Sequence, residues 1–354
     1  MIKEFVIGTE LAPAYYGDLL EFIRRYYLMP GDFNEIRRDG LRLVFRAWRD
    51  EAIIYGEIIA GENLKLILEY PAELGGWAEA IYEDIFTSIQ AFEDMMRQHT
   101  VYFAWVEGED IIPERPPTGR GMASKGIFGS SMLLVYVLFF GVNIILFIIL
   151  GFYAVIAILL MQLGIILLSD RIYARMGEWV ITPENPSVHI IQFQLPEDEF
   201  KFFIDRMGNE AILKIKREIY RVSLADKRSP TCEDARSVLE RYGFRCNPLY
   251  ERSRTVNLYS IIADAAGAFG IPVPRIVLSN TMIANAAATG PSPRRGLVLV
   301  TTGLLVQLTD EEVLAVIGHE MGHIKNRDIL TSTIAATIAG AISYIAQMAY
   351  WSMF

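Results

Sequence analysis

The most informative segment of this 354-residue chain is Thr309-Asp-Glu-Glu-Val-Leu-Ala-Val-Ile-Gly-His-Glu-Met-Gly-His-Ile-Lys-Asn-Arg-Asp328. Thr309 and Glu312 have the spacing of a capping box, which predicts a helix over residues 310–327. On that helix His319 and His323 are four residues apart, so they lie one turn apart and about 40° around the axis. Two imidazoles in this arrangement can bind the same zinc ion.

Glu320 follows the first histidine and is turned about 100° from it, so it can reach a metal-bound water without binding the metal. This H-E-x-x-H pattern is typical of metallopeptidases. Zinc lowers the pKa of its water toward roughly 7, and Glu320 is predicted to take the proton and pass it to the leaving amine.

Alternatively, the H-E-x-x-H pattern is a coincidence of buried polar side chains. Only four histidines occur, however, and two of them have this spacing. We therefore predict Glu320 as catalytic base and one Zn²⁺ per chain, bound by His319 and His323.

Two long apolar runs predict a membrane protein. No charged residue occurs from 127 to 168 or from 330 to 354, in a chain that is 52% apolar with a mean hydropathy of +0.28. A spanning helix needs about 20 apolar residues. The first run fits two helices joined by a tight turn near Gly151, and the second fits one. We expect a multi-pass integral protein of the cell membrane.

Basic residues flank the first run on both sides, which predicts that both of its ends face the cytoplasm. Arg115, Arg120 and Lys125 precede it, and Arg171 and Arg175 follow it. The active site is therefore predicted on the cytoplasmic side. The net charge of −9 argues against a nucleic-acid partner.

The segment before the first apolar run is predicted to form a small α+β domain, residues 1–126. Residues 41–48, 52–59 and 63–70 are rich in β-branched and aromatic residues and are separated by short turns. Apolar residues at three- and four-residue steps predict a helix over 77–96, and 101–106 fits a fourth strand.

After the first apolar run, residues 188–193 alternate like a strand and residues 196–224 have a helical pattern. Thr231 and Asp234 resemble a second capping box. The two cysteines, Cys232 and Cys246, either form a disulfide or remain free thiols in a reducing compartment, and nothing near them suggests a metal site.

Three motifs together make residues 253–354 similar to the HtpX family of membrane metallopeptidases, which is related to the CAAX prenyl proteases. They are the H-E-x-x-H stretch, Asn285-Ala-Ala-Ala-Thr-Gly290 and Leu297-Val-Leu-Val-Thr-Thr-Gly-Leu-Leu305. The resemblance implies transmembrane α-helices (a hairpin over 127–169 and a third helix over 330–354) and a cytoplasmic zincin-like α+β peptidase domain, residues 170–329. The N-terminal α+β domain is an addition to that family pattern.

The resemblance also implies a strand beside the active site, to whose edge a substrate adds by main-chain hydrogen bonds. An equal alternative is that this is only a core strand. The residues assigned to substrate binding are those of this strand, Gly296, Leu297, Val298, Leu299 and Val300, and Asn285, because the resemblance implies that residues 285–290 form a turn facing the cleft. Ala287 stands where the family has an aromatic residue, and Asn326 and Asp328 are expected to cap or brace the end of the active-site helix.

A third zinc ligand is missing from the sequence pattern. Related enzymes take a glutamate from a later helix, but residues 324–354 contain none. Helical geometry turns Asp328 about 180° from His319 and away from His323, and places Glu311 and Glu312 roughly 10 Å from the histidines. Two explanations remain open: the chain is a truncated or split form of a longer enzyme, or it is a relative that lacks a ligand.

The function that fits best is a membrane-bound zinc metalloendopeptidase that cuts membrane or misfolded proteins, as in protein quality control. Its expected partners are protein or peptide substrates and the lipid bilayer. The alternative from another class is a non-catalytic membrane scaffold or regulator with an incomplete zinc site. A prenyl-protein processing enzyme is a third possibility, but it needs a larger intramembrane chamber than three spans provide.

Overall fold

The computed structural model describes residues 1–49, 52–61, 63–109, 111, 132–175, 177–206, 209–243 and 247–328, with five further residues between 331 and 342. Contacts divide the chain into two units. The first consists of Met1–Phe103 and His189–Arg254, and the second of Ala104–Val188 and Thr255–Phe354.

The first unit contains a five-stranded antiparallel sheet with strand order β1-β5-β4-β3-β2. Alternate residues of its strands point into a core that the helices α1 and α2 cover, with Phe45, Ile58 and Ile85 among its fully or almost fully buried members. The bounds of these elements are β1 Ile2–Gly8, α1 Tyr16–Ile23, β2 Phe33–Asp39, β3 Arg42–Arg49, β4 Ala52–Ile59, β5 Asn63–Glu69 and α2 Gly75–Arg97.

The three predicted strands and the predicted helix of this sheet are confirmed, but the fourth strand was assigned to the wrong sheet. Strand β6 (Thr100–Val106) belongs to a three-stranded sheet with β8 (Ser187–Gln194) and β9 (Glu251–Asn257), in the order β6-β8-β9. All seven residues of β6 are buried. A strand buried on both faces has no alternation, so its sequence carries no information about which sheet it joins.

The described residues that follow β8 in the first unit are mainly helical, as predicted. Residues 196–224 form two helices, α6 (Glu197–Arg206) and α7 (Asn209–Val222), followed by α8 (Cys232–Arg241). The capping box at the start of α8 is confirmed: the Thr231 side chain accepts from Asp234 N, and the Asp234 carboxylate accepts from Thr231 N. Cys246 lies outside the described residues.

The first apolar run forms two helices, α3 (Met132–Leu150) and α4 (Ala154–Leu167), and the short helix α5 (Ser169–Ala174) follows. The tight turn predicted near Gly151 is confirmed, and Gly151 has a φ of 52°. Among the helices that the structure describes, none is both long enough and apolar enough to span a membrane. Most of the predicted third span, 330–354, lies outside the described residues.

The second unit also contains the sheet that positions the candidate site. Its order is β11-β12-β10-β7, with β10 and β12 parallel and the other two pairs antiparallel. The helix α11, which carries the two histidines, packs against α9 and β11. The bounds are β7 Trp179–Ile181, α9 Leu258–Phe269, β10 Arg275–Ser279, β11 Ala286–Thr289, β12 Leu297–Thr301, α10 Thr302–Gln307 and α11 Asp310–Asn326.

Candidate metal centre and active site

The helix α11 begins as its sequence predicts. Thr309 Oγ1 accepts from Glu312 N, and the Glu312 carboxylate accepts from Thr309 N at 2.8 Å, so the capping box is confirmed. The buried stripe of the helix includes Val313, Ile317 and Ile324, and this stripe fixes its rotation against the sheet. His319 is left exposed on the other side.

The two histidines of α11 meet through their ring nitrogens. His319 Nε2 and His323 Nε2 are 3.1 Å apart, and the rings are nearly perpendicular, at 88°. Two Zn–N bonds of roughly 2.05 Å at a tetrahedral angle require nitrogens about 3.3 Å apart. The pair therefore fits a shared zinc ion with almost no rearrangement.

Asp328 holds the second histidine in place. Its Oδ2 atom lies 2.7 Å from His323 Nδ1. The expectation that Asp328 points away from His323 is wrong, because it assumed a continuous helix. Instead α11 ends at Asn326, and Arg327 has a left-handed conformation with a φ of 56°, which turns the chain back toward the ring. A carboxylate that accepts from Nδ1–H leaves the Nε2 lone pair for a metal.

Glu320 reaches the main chain of the neighbouring strand. Its Oε2 atom accepts a hydrogen bond of 2.7 Å from Ala288 N. Ala288 lies in β11, opposite Val298 of β12. Its N–H points away from β12, so the main-chain groups of Ala286 and Ala288 face the free edge of the sheet. The carboxylate therefore lies between the histidine helix and a strand edge that pairs with no other described strand.

The predicted substrate-binding strand is a core strand. Leu297, Val298, Leu299 and Val300 are fully buried, and β12 is paired with β10 on one side and with β11 on the other. A strand paired on both sides has no edge to which a substrate can add. The edge beside the site belongs to β11, in the segment 285–290 for which the resemblance implied a turn.

Asn285 and Gly296 support the ends of these strands. The Asn285 main-chain carbonyl accepts from Thr301 N at 3.1 Å, and the Asn285 main-chain N–H donates to Thr301 Oγ1 at 2.9 Å. The main chain of Asn285 thus closes the start of β11 against β12. A side-chain carbon on Gly296 would lie 3.1 Å from the Ile324 side chain, so Gly296 allows α11 to approach the sheet.

No third metal ligand lies beside the histidines within the described ranges, where no three His, Cys, Asp or Glu side chains are grouped closely enough to hold a metal ion. Glu312 is used by the cap of α11, and Asp328 contacts Nδ1 of His323 from outside the metal position. His319 and His323 are the two described residues that fit zinc.

Comparison with known proteins finds that the same segment is similar to a peptidase family. Residues 252–353 match the family model described as Peptidase family M48. These residues include β11, β12 and α11, so the match covers every candidate site residue.

Curated relatives point the same way. The chain is 55% identical over 95 residues to a protein named Protease HtpX homolog from Thermodesulfovibrio yellowstonii, covering 27% of this chain and 34% of that protein. It is 49% identical over 96 residues to Protease HtpX from Legionella pneumophila, covering 27% and 34%. A Protease HtpX homolog from Thermococcus kodakarensis is 46% identical over 117 residues, covering 33% and 38%.

The chain thus spans about a third of the length of these curated relatives. Over that part, the matches support an HtpX-like M48 metallopeptidase family, as the three sequence motifs predict.

Proposed function

We propose that this chain is a membrane-bound zinc metalloendopeptidase that hydrolyses peptide bonds of membrane or misfolded proteins on the cytoplasmic side. The observation that carries the proposal is one arrangement: the paired Nε2 atoms of His319 and His323 with Glu320 beside them, next to the free edge of β11. The membrane part of the proposal, with its boundaries 1–126, 127–169, 170–329 and 330–354, rests on the two charge-free runs of the sequence.

In this proposal His319 and His323 hold one Zn²⁺ per chain. When bound, zinc supplies Lewis-acid chemistry that acidifies water and polarises a carbonyl group. Glu320 accepts the proton from the attacking water and donates it to the leaving amine. Asp328 keeps the His323 ring in the tautomer whose Nε2 atom faces the metal position.

The substrate is proposed to pair with β11 in extended form. Main-chain groups of Ala286 and Ala288 face the open edge, and an added strand uses such groups without regard to side-chain identity. This mode suits an enzyme that accepts many unfolded segments. Ala288 N is bonded to Glu320, so a substrate carbonyl that takes over this donor also releases the carboxylate for proton transfer.

Zinc content and peptide hydrolysis of the detergent-purified chain test the proposal together. We expect about one zinc per chain and cleavage of an unfolded substrate. His323→Ala should lose both, whereas Glu320→Gln should keep the metal and lose at least about 100-fold in kcat. Retention of the chain in membranes after an alkaline wash tests the membrane part.

The alternative function is a non-catalytic membrane scaffold or regulator. The finding that favours it is that no group of three metal-binding side chains occurs in the described part of the chain. A purified chain without zinc and without cleavage, in which Glu320→Gln changes nothing measurable, would support the scaffold and exclude the enzyme.

A further inference from the structure

Arg295 binds the junction between the apolar hairpin and the peptidase sheet. Its Nε and Nη2 atoms contact the Asp170 carboxylate at 3.1 and 2.8 Å, and Nη2 also donates to the Leu167 carbonyl at 2.9 Å. Leu167 is the last residue of α4, where carbonyls lack partners within the helix, and Asp170 is in the first turn of α5. One guanidinium therefore satisfies the end of one helix and pairs with a carboxylate at the start of the next.

A second contact attaches the same junction to the sheet. Tyr173 and Ala174 of α5 pack against a buried cluster formed by Val277, Leu297 and Leu299. These three residues belong to β10 and β12, the central strands of the sheet. The end of the hairpin is thus held by apolar packing on the sheet and by the ion pair to Arg295.

Arg295 lies in the turn from β11 to β12, and this turn has little freedom. Gly290 has a φ of 136°, and a side-chain carbon there would lie 2.3 Å from the Arg295 carbonyl oxygen. Because the two ends of the turn are in such close contact, a shift of Arg295 also shifts the end of β11. The Ala288 amide that contacts Glu320 is two residues before Gly290.

We propose that Arg295 is a positioning residue for substrate binding. By binding Asp170 and the Leu167 carbonyl, it fixes the β11–β12 turn to the end of the hairpin and thereby holds the free edge of β11 at its distance from Glu320. The effect of Arg295 on substrate binding rests on the proposed peptidase function, whereas its effect on the position of β11 is independent of that function.

The test compares Arg295→Ala with Arg294→Ala in the full detergent-purified chain. Arg294 is the exposed neighbour in the same turn, so it controls for loss of a positive charge. We expect Arg295→Ala to raise KM about tenfold, with zinc content unchanged and kcat changed less than about twofold, because binding contacts are lost and the metal site is not. Arg294→Ala should leave all three unchanged.

Two further measurements separate positioning from general destabilisation. Amide hydrogen exchange of residues 286–289 should be faster in Arg295→Ala and unchanged in Arg294→Ala. Asp170→Arg alone should raise KM, and the double variant Asp170→Arg with Arg295→Asp should reverse part of that rise.

Equal KM values in Arg295→Ala and Arg294→Ala, or equal exchange at β11, would overturn the proposal, as would zinc loss in Arg295→Ala. If the unmutated chain neither binds zinc nor cleaves, the peptidase function fails, while the exchange comparison still decides whether Arg295 positions β11.

Discussion

His323 Nδ1 lies 2.7 Å from Oδ2 of Asp328, five residues further along the chain and beyond the end of the helix that carries the histidine. The contact fixes the ring orientation and the tautomer of His323. It also gives Asp328 a role in the proposed zinc site without making it a ligand. Hydrogen-bond partners of metal ligands orient the ligands and raise their basicity, so they contribute to metal affinity.

Asp328→Asn should weaken zinc binding about 10-fold to 100-fold, because an amide is a poorer acceptor for Nδ1–H and can present its NH₂ group instead. Competition against a chelator of known affinity measures this. Asn326→Ala, at the exposed end of the same helix, is the matched control and should change affinity little. Equal zinc affinities of the two variants would show that the contact does not tune the site.

Thr309→Ala should lower the free energy of unfolding by about 1 kcal/mol, because the Glu312 amide loses the acceptor that caps α11. Thr309→Ser retains the hydroxyl and should restore most of the loss. Denaturant unfolding, followed by a probe in the second unit, compares the two variants. A serine variant no more stable than the alanine variant would contradict a capping role for Thr309.

Gly290→Ala should destabilise the second unit by more than about 2 kcal/mol, because its φ of 136° disfavours any side chain and the added carbon meets the Arg295 carbonyl. Gly267→Ala is the matched control: Gly267 lies within α9, and among the described residues no atom outside the backbone of that helix is within 4 Å of an added carbon. There, alanine should stabilise by up to about 1 kcal/mol. Thermal unfolding of both variants should therefore shift in opposite directions.

Stability of the first unit should fall as pH rises, because Glu10 is buried. Burial raises the pKa of Glu10 from 4.5 to about 8, although Arg97 opposes this, and the pKa of the neighbouring Glu93 is also raised by burial. A carboxyl group whose pKa is higher in the folded state binds more protons there. Stability is thus lost between the unfolded and folded pKa values, from about pH 4.5 to about pH 8.

Glu10→Gln should make the free energy of unfolding less dependent on pH across this window, because the amide has no proton to lose. The contact between Glu10 and Arg97 is altered as well, so the informative quantity is the slope of the unfolding free energy against pH, and not the absolute stability. Glu73→Gln, at an exposed position, should leave the slope as it is. If Glu10→Gln and the unmutated chain have the same slope from pH 5 to pH 8, burial of Glu10 does not govern the effect.

The parts of the fold that could be predicted are those whose signals are local. The helix α11, its cap and its two histidines follow from spacing alone, as do β3, β4, β5 and α2. The strand β2 was missed because its sequence, Phe33-Asn-Glu-Ile-Arg-Arg-Asp39, is mostly charged and contains a bulge between Asn34 and Arg37. Such an edge strand lacks the apolar alternation by which strands are recognised.

The parts that could not be predicted depend on pairing between distant segments. The sequence indicates that residues 297–300 form a buried strand, but not which strands lie beside it, so the free edge was assigned to β12 instead of β11. Asp328 was misplaced for a different reason. The residue at which a helix ends is poorly marked in sequence, and a single left-handed residue redirects the chain beyond it.

Because of the left-handed turn at Arg327, the residue at which α11 ends determines whether Asp328 reaches His323 at the proposed zinc site. If α11 continued by one residue, Asp328 would be carried about 100° around the helix axis and out of reach of the His323 ring. A substitution that merely favours a longer helix would then act like the loss of a metal-tuning side chain, with every ligand intact. Conversely, glycine at position 327 adopts the turn without strain and should leave that chemistry undisturbed.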